Sequence, residues 1–254
     1  MTELFNLFLY QPLANILILL YQNIPGNDFG VAIIVLTGLV RLLLYPISVK
    51  SIKSQRALAE IQPEVEKVQK EYQKDKERQA KEMLNVYKKA KINPFSGLFL
   101  LLVQVPVLLA LYKVILNVQT SEFTNILYDF VSFSGEIDPL FLGIINLAKV
   151  GITQTNGETF FLFGNLALIL GAGLSQFFQA KMMINQKSFK GKKKNNPAME
   201  MAGKMQKSLI YFFPLLTIFV LINLPLAIGL YWLVSSLFSI AQQHFVLKKV
   251  ALIN

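Results

Sequence analysis

Arg41 is the residue whose type and position most need a chemical explanation. It lies within LTGLVRLLLYPISVK, residues 36–50, which is apolar on both sides of the arginine. On a straight helix rising 1.5 Å per residue, Arg41 would be roughly 18 Å from Phe29 and about 14 Å from Lys50, so it could not easily reach either surface of a membrane. Exposure of its guanidinium to lipid would cost about 3 kcal/mol. The pattern therefore predicts a polar environment for Arg41.

Neutral polar groups must supply that environment, because the long apolar runs contain no Asp or Glu. One set, at Trp232, Ser236, Ser239 and Gln243, has spacings of 4, 3 and 4 and would share one helix face. The other candidates are Thr37, Gln104, Gln176 and Gln179. Each amide or hydroxyl could either hydrogen-bond between helices or line a hydrated cavity around Arg41. An intramembrane charge without an acidic partner indicates a functional site, here one that attracts polar or acidic segments of another chain.

Composition excludes several other chemistries. The chain has no cysteine and one histidine, His244, which excludes disulfides, thiol nucleophiles and sites rich in cysteine or histidine ligands. No GxxxxGK[ST] motif occurs, so ATP hydrolysis by this chain is not expected. We expect neither a cofactor nor covalent catalysis.

The fold class follows from hydropathy. Of the 254 residues, 54% are hydrophobic and 16% are charged, and the mean hydropathy is +0.47. Runs at 29–47, 95–116 and 160–180 reach the length of about 20 residues that a bilayer requires. The run at 209–247 is about twice that length and is interrupted by Asn-Leu-Pro at 223–225, which predicts a hairpin. We predict an all-α integral membrane protein with five transmembrane helices.

Charge placement orients these spans. Twelve Lys or Arg residues lie in 50–91 and eight more in 181–207, whereas 1–28 and 117–159 hold seven acids and one lysine. The positive-inside rule therefore places the N-terminus outside and the C-terminus in the cytoplasm. The predicted segments are an extracytoplasmic N-terminal segment 1–28, spans at 29–50, 94–116 and 160–182, a cytoplasmic hairpin 51–93, an outer loop 117–159, a basic cytoplasmic loop 183–207, a hairpin of two spans at 208–247, and a tail 248–254.

The first 28 residues allow three interpretations: a signal sequence, a sixth span, or a helix lying at the outer interface. No Lys or Arg precedes Arg41, so a signal peptide would lack its basic region. A sixth span would bring Glu3 inside without a positive charge nearby. We expect an interfacial helix.

The cytoplasmic segment 51–93 has apolar residues at helical spacing and predicts two amphipathic helices joined near 74–76. It is either a solvated connection or a basic arm that docks a nucleic-acid-containing or otherwise anionic partner, and anionic lipid headgroups would suit the same charge. The candidate docking residues are Lys67, Lys70, Lys74, Lys76, Arg78, Lys192, Lys193 and Lys194.

Several motifs resemble the YidC/Oxa1/Alb3 family of membrane protein insertases. They comprise Arg41 with Tyr45-Pro46, Lys50, Ser54 and Gln62-Pro63-Glu64, followed by NPFSGLFLLLVQVPVLLALYKV at 93–114, DPLFLG at 138–143, GLSQFFQAKM at 173–182 and GLYWLVSSLFSIAQQ at 229–243. The match keeps the order of all five predicted spans. In size the chain is more similar to the short Gram-positive members.

The resemblance implies a multi-pass protein of the bacterial plasma membrane with a hydrophilic groove, open to cytoplasm and lipid, and Arg41 at its centre. It implies that nascent membrane proteins pass along the third and fifth spans, beside Gln176, Gln179 and Trp232. It also implies that the hairpin recruits the ribosome and targeting machinery, with the general translocon as a further partner. Ser236 stands where many members have Asn, which shortens one polar side chain of the groove.

Other functions compete with this interpretation. A secondary transporter or anion channel would use Arg41 as an anion site, but no repeat of the arginine-bearing span is present. An intramembrane protease would use Ser175 and His244, but Ser175 precedes Gln176 instead of a glycine turn. An assembly chaperone that binds membrane proteins without inserting them is not distinguished by sequence.

Overall fold

The chain is helical along most of its length in the computed structural model. The structure describes residues 2–93, 96–118, 120–131, 133, 135–151, 153–155, 158–160, 163–183 and 197–251. The described parts contain nine α-helices: α1 Thr2–Phe5, α2 Gln11–Asn23, α3 Phe29–Leu43, α4 Tyr45–Glu71, α5 Lys76–Lys89, α6 Ser96–Asn117, α7 Phe163–Met183, α8 Pro197–Ile222 and α9 Leu226–Ala251. A π-helical turn, Asn6–Tyr10, joins α1 to α2.

Helix length and hydropathy agree with a membrane protein. Within the described ranges, two helical segments, Glu3–Asn23 and Leu226–Lys248, are long and apolar enough to cross a bilayer, and the bent pair α3 and α4 makes a third if it counts as one span. Leu102–Asn117 and Tyr211–Ile222 are shorter apolar helices. The helical membrane class is thus supported, whereas the number of five spans stays a prediction.

The outer surface of the bundle is apolar. On α7, Leu166, Leu170, Leu174 and Phe178 recur every fourth residue and are all exposed. Since residues at this spacing lie above one another on one face of a helix, they form a continuous apolar stripe. Such a stripe is unfavourable in water and suits contact with lipid chains.

The arginine-bearing helix is broken shortly after Arg41. α3 ends at Leu43, α4 starts at Tyr45, and the two axes are bent by 65°. Pro46 lies in the first turn of α4, and proline there removes an N–H donor and clashes with the preceding turn of a continuous helix. The assumption of one straight helix from Phe29 to Lys50 is therefore wrong, and Arg41 lies in the last turn of α3.

Close approaches of α7 to its neighbours hold the second half of the bundle together. α7 packs against both α8 and α9. A Cβ atom on Gly173 would lie 2.6 Å from Ile218 of α8, and a Cβ on Gly229 of α9 would lie 2.5 Å from Leu168 of α7. Small residues let helix backbones approach closely and so increase van der Waals contact. This packing stabilises helix association in lipid, where the hydrophobic effect does not drive it.

The N-terminal helical segment is tied to the chain that follows α6. Asn15 of α2 donates to Ile126 O over 3.3 Å and accepts from Tyr128 N over 2.7 Å. The Tyr21 hydroxyl accepts from Asp138 N over 3.0 Å. α2 is thus bonded to Ile126, Tyr128 and Asp138 through both halves of its length.

Short strands occur in a region for which the sequence predicted only a loop. β1 Leu140–Phe141 pairs with β2 Ile145–Asn146, and β3 Thr153–Thr155 pairs with β4 Glu158–Phe160, both antiparallel. Asp28 fixes the first hairpin, since its carboxylate accepts from Val31 N at the start of α3 and from Leu142 N over 2.7 Å. The same region also provides an acceptor for the first turn of α9, because Leu226 N donates to Lys149 O. The first N–H groups of a helix have no partner within the helix itself.

Candidate functional site: an arginine held by serine inside the helix bundle

Arg41 points from α3 to α9. Its Nε donates to Ser235 Oγ over 2.7 Å, and its Nη2 is bonded to the same oxygen. Ser235 is 1% exposed, whereas Arg41 is half-buried. The serine therefore fixes one edge of the guanidinium, and the remaining N–H donors of the five stay available for other acceptors.

A second hydrogen bond extends this arrangement to α6. Gln104 Nε2 donates to the Tyr231 hydroxyl, and Tyr231 lies one turn before Ser235 on α9 and contacts it. Arg41, Ser235, Tyr231 and Gln104 form what we call the arginine cluster, which connects α3, α9 and α6. These three helices lie apart in the sequence, so the cluster exists only when the bundle is assembled.

No carboxylate among the described residues neutralises the positive charge of the arginine cluster. Among the described residues Arg41 makes no ion pair, and the one ion pair found there joins Arg56 to Glu60 on the exposed surface of α4. A half-buried guanidinium in low dielectric acts over longer distances than one in water. The cluster can therefore attract an acidic or strongly polar group into the bundle.

The structure does not bring every predicted groove residue to Arg41. The Thr37 hydroxyl donates to Ile33 O in its own helix, and Gln176 accepts from Thr217 of α8 over 2.6 Å, which is the interhelical bonding considered as the alternative. Gln179 and Trp232 are half-buried, while Ser236 and Gln243 are fully buried. Gln104 reaches the arginine through Tyr231 and Ser235.

Sequence reasoning missed Ser235, Tyr231 and Gln242. They lie at spacings of 4 and 7 and form a helical stripe beside the one predicted at Trp232, Ser236, Ser239 and Gln243. Gln242 Nε2 donates to Ser48 Oγ of α4 over 2.6 Å, so this neighbouring stripe faces the broken arginine helix. The spacing signal was present, but two adjacent serines gave no means of choosing between the stripes.

Two glutamine side chains, one of them in the arginine cluster, have buried amide oxygens without a partner among the described residues. Gln104 Oε1 and Gln243 Oε1 are buried and accept no hydrogen bond from any described residue. A buried acceptor without a partner costs about 1–3 kcal/mol. These oxygens are therefore expected to bind water or polar groups of another chain.

Five of the eight candidate docking residues lie on α4, α5 and the turn between them. Lys67, Lys70, Lys74, Lys76 and Arg78 are all exposed. Lys192, Lys193 and Lys194 lie outside the described residues.

Several contacts order this turn. Asp75 accepts from Arg78 N at the start of α5, and Gln79 Nε2 donates to Gln69 O of α4 over 2.7 Å. A hydrogen bond with Glu71 raises the pKa of Tyr72, over whose ring the Arg78 guanidinium lies. The basic residues are thus presented on two helices with a defined connection.

Comparison with known proteins identifies the family. The model of the family described as 60Kd inner membrane protein matches residues 19–252. The membrane protein insertase MisCA of Bacillus subtilis is 29% identical, over 94% of this chain and 77% of its own length. The membrane protein insertase YidC 2 of Bacillus anthracis is 30% identical, over 96% of this chain and 82% of its own.

A longer relative matches over only part of its length. The membrane protein insertase YidC of Magnetococcus marinus is 30% identical over 96% of this chain, which covers 36% of that protein. The resemblance inferred from the motifs is thereby confirmed. The chain belongs to the 60Kd inner membrane protein family, the family of the YidC and MisCA proteins.

Proposed function

We propose that this protein inserts newly made membrane proteins into the bacterial plasma membrane through a hydrophilic groove centred on Arg41. The observation that carries the proposal is the half-buried Arg41, held by the Ser235 hydroxyl without an acidic partner among the described residues. The names of the relatives, membrane protein insertases, support it.

The mechanism requires no covalent step. Arg41 draws a hydrophilic or acidic flanking segment of the substrate partway into the bundle, which lowers the cost of moving that segment through lipid. The apolar segment of the substrate then enters lipid beside the third and fifth predicted spans. Transfer of apolar surface at roughly 25 cal/mol per Å² provides the driving force.

The groove would be lined by residues from four helices. The arginine cluster forms its centre, and the lining extends along α7 and α9 through Gln176, Gln179, Trp232, Ser236 and Gln243. The buried acceptors Gln104 Oε1 and Gln243 Oε1 support this lining, because a passing peptide carries N–H donors along its whole length. Thr37 would contribute through packing, since its hydroxyl is used within α3.

The surrounding architecture belongs to the same proposal. It has five spans, an N-terminal interfacial helix outside, and the α4–α5 hairpin and C-terminus in the cytoplasm. The hairpin, with the loop that carries Lys192, Lys193 and Lys194, docks the ribosome and targeting machinery or anionic headgroups, and the general translocon is a further partner. Holding inserted helices while they pack would add a chaperone role.

Reconstitution in liposomes tests the groove. Insertion of a single-span substrate with an acidic translocated tail is compared for wild type, Arg41→Lys, Arg41→Ala and Arg41→Glu. We expect about a tenfold loss with Ala, equivalent to about 1.4 kcal/mol, a larger loss with Glu, and partial retention with Lys. Arg56→Ala removes an exposed arginine and is the matched control, for which full activity is expected.

Equal insertion by all Arg41 variants would refute the electrostatic mechanism. If wild type conducted anions across the liposome membrane and the Arg41 variants did not, the result would instead support an anion channel. A substrate that binds the protein but stays accessible to protease outside would support a chaperone without insertase activity.

Ribosome binding tests the hairpin. Charge reversal of Lys67, Lys70, Lys74, Lys76 and Arg78 is expected to weaken co-sedimentation with ribosomes, with the difference largest at low salt, because screening removes such contacts at high ionic strength. Reversal of the same number of acids in the hairpin should not weaken it. Unchanged binding by the basic variant would assign the hairpin to a connecting role.

A further inference from the structure

A polar pocket of about 320 Å³ lies away from the arginine cluster, between the N-terminal helical segment and the C-terminal end of α6. Its polar lining includes Asn6, Tyr10, Gln11, Lys113, Asn117 and Asn125. The function proposed above uses none of these residues. The volume lies at the lower end of the range of small-molecule sites, about 300–1,000 Å³.

Lys113 gives the pocket its charge. Arg41 and Lys113 are the two Lys or Arg residues within the long apolar runs of the sequence. Lys113 Nζ donates to Asn6 Oδ1 over 2.9 Å and lies 4.3 Å from the centre of the Tyr10 ring. An ammonium has three donors, so this one hydrogen bond leaves two for a ligand.

The other polar residues of the lining are neutral and can form hydrogen bonds, and the apolar residues Phe123 and Ile126 complete it. Asn117 Nδ2 donates to the Tyr10 hydroxyl over 3.1 Å, which leaves the hydroxyl proton of Tyr10 for another acceptor. The described residues that line the pocket include no Asp or Glu. A cation surrounded by amide and hydroxyl donors suits an anion with several oxygens, such as a phosphate group.

Exposed apolar side chains neighbour the lining residues in both helical segments. Leu7 directly follows Asn6 and stands three residues before Tyr10, and it is 56% exposed. Leu109 and Leu116 stand four residues before and three after Lys113, on the same face of α6, and are 53% and 51% exposed. A ligand in this pocket would thus bind its charged end to Lys113 and lay an apolar end on these side chains.

We propose that this pocket binds the phosphate of a phospholipid headgroup, with the acyl chains against Leu7, Leu109 and Leu116. The lipid belongs to the leaflet at the end of the bundle where α3 begins and α6 ends. It holds the N-terminal helical segment against α6, because Asn6 and Lys113 come from the two elements that it joins.

Native mass spectrometry of the full chain in detergent, titrated with short-chain phosphatidylglycerol, tests the proposal. Lys113→Gln should weaken binding about tenfold, the usual effect of losing a charged hydrogen bond, while Lys113→Arg should stay within about threefold of wild type. Lys149→Gln, which removes an exposed lysine elsewhere, should bind as wild type does. Tyr10→Phe keeps the ring, loses only the hydroxyl, and should bind about threefold more weakly.

Two further probes identify the source of the anion. A diacylglycerol of the same chain length lacks the phosphate and should bind at least about tenfold more weakly than the phospholipid. Inorganic phosphate lacks the acyl chains and should also bind at least about tenfold more weakly. Equal binding of the diacylglycerol would overturn the proposal, and so would phosphate binding as tight as that of the lipid, which would indicate a small-anion site. Wild-type affinity in both Lys113→Gln and Tyr10→Phe would overturn it as well, and Tyr10→Phe decides alone if Lys113→Gln does not fold.

Discussion

Removing the hydroxyl of Ser235 should have a different effect from removing that of Ser236, the adjacent serine of α9. Ser235 and Ser236 are both buried, at 1% and 3% exposure, but only Ser235 bonds Arg41 among the described contacts. Ser235→Ala therefore takes away the acceptor for two guanidinium N–H groups. Ser236→Ala deletes the same atom one residue later and is the matched control.

The expected magnitude follows from the chemistry of the bond. Hydrogen bonds between helices in membranes average about 0.6 kcal/mol and reach about 1.7 kcal/mol in double-mutant cycles. A charged donor makes a bond roughly twice as strong as a neutral one. Because both N–H groups share a single oxygen, we expect a coupling free energy between Arg41 and Ser235 of about 1–2 kcal/mol.

The assay is a double-mutant cycle on the free energy of unfolding. Wild type, Arg41→Met, Ser235→Ala and the double variant are unfolded with a denaturing detergent, and the loss of helix is followed by circular dichroism. The cycle with Ser236→Ala in place of Ser235→Ala should give a coupling below about 0.5 kcal/mol, the usual limit for residues without direct contact.

Equal coupling in the two cycles would refute the geometry of the arginine cluster. A coupling near zero for Ser235, with full insertion activity, would mean that Arg41 is held by solvent or lipid instead. A large coupling for Ser236 would mean that Arg41 contacts the helix face that contains Ser236, as the sequence spacing predicted.

Three other perturbations have defined expectations. Gly173→Val places a side chain against Ile218 and should destabilise the fold by about 1–3 kcal/mol, whereas Gly38→Ala, which meets nothing within 4 Å, should change the free energy of unfolding little. Gln104→Leu should leave folding nearly intact but slow insertion of acidic-tailed substrates several-fold in liposomes, since it removes a polar group rather than packing volume. Asp28→Ala should lower the free energy of unfolding by about 1–2 kcal/mol, because it removes the acceptor for two backbone N–H groups.

Sequence patterns predicted where helices occur better than where a helix breaks and changes direction. The apolar runs and the turn near 74–76 agree with helices at α6, α7 and α9 and with the boundary between α4 and α5. The loop predicted at 183–207 is wrong in its last part, because α8 already begins at Pro197. The break at Leu44 was missed, although Pro46 marked it, because proline in an apolar run is compatible with a kink as well as with a new helix. The strands at 140–160 are two or three residues long, too short for a period-2 pattern.

The site was predictable as a charge but not as a set of contacts. An arginine without an acid in an apolar run is a strong signal in one sequence. Its partner depends on the rotation of α9 about its own axis, and a rotation of about 100° exchanges Ser235 for Ser236. Packing against α3 and α7 decides that rotation, and a single sequence carries no record of it.

The break after Arg41 also has a consequence for hydrophobic mismatch. Fifteen residues make α3 about 22 Å long, whereas the hydrocarbon core of a bilayer is about 30 Å thick. Beyond Leu44 the chain turns by 65°, so each residue of α4 advances along the axis of α3 by less than half of its rise of about 1.5 Å. If α3 forms the first span, as the sequence predicts, lipid beside it has to become thinner or admit headgroups towards Arg41. Each ångström of lost thickness shortens the apolar barrier that a polar segment must cross, so the length of this helix contributes to transfer independently of its charge.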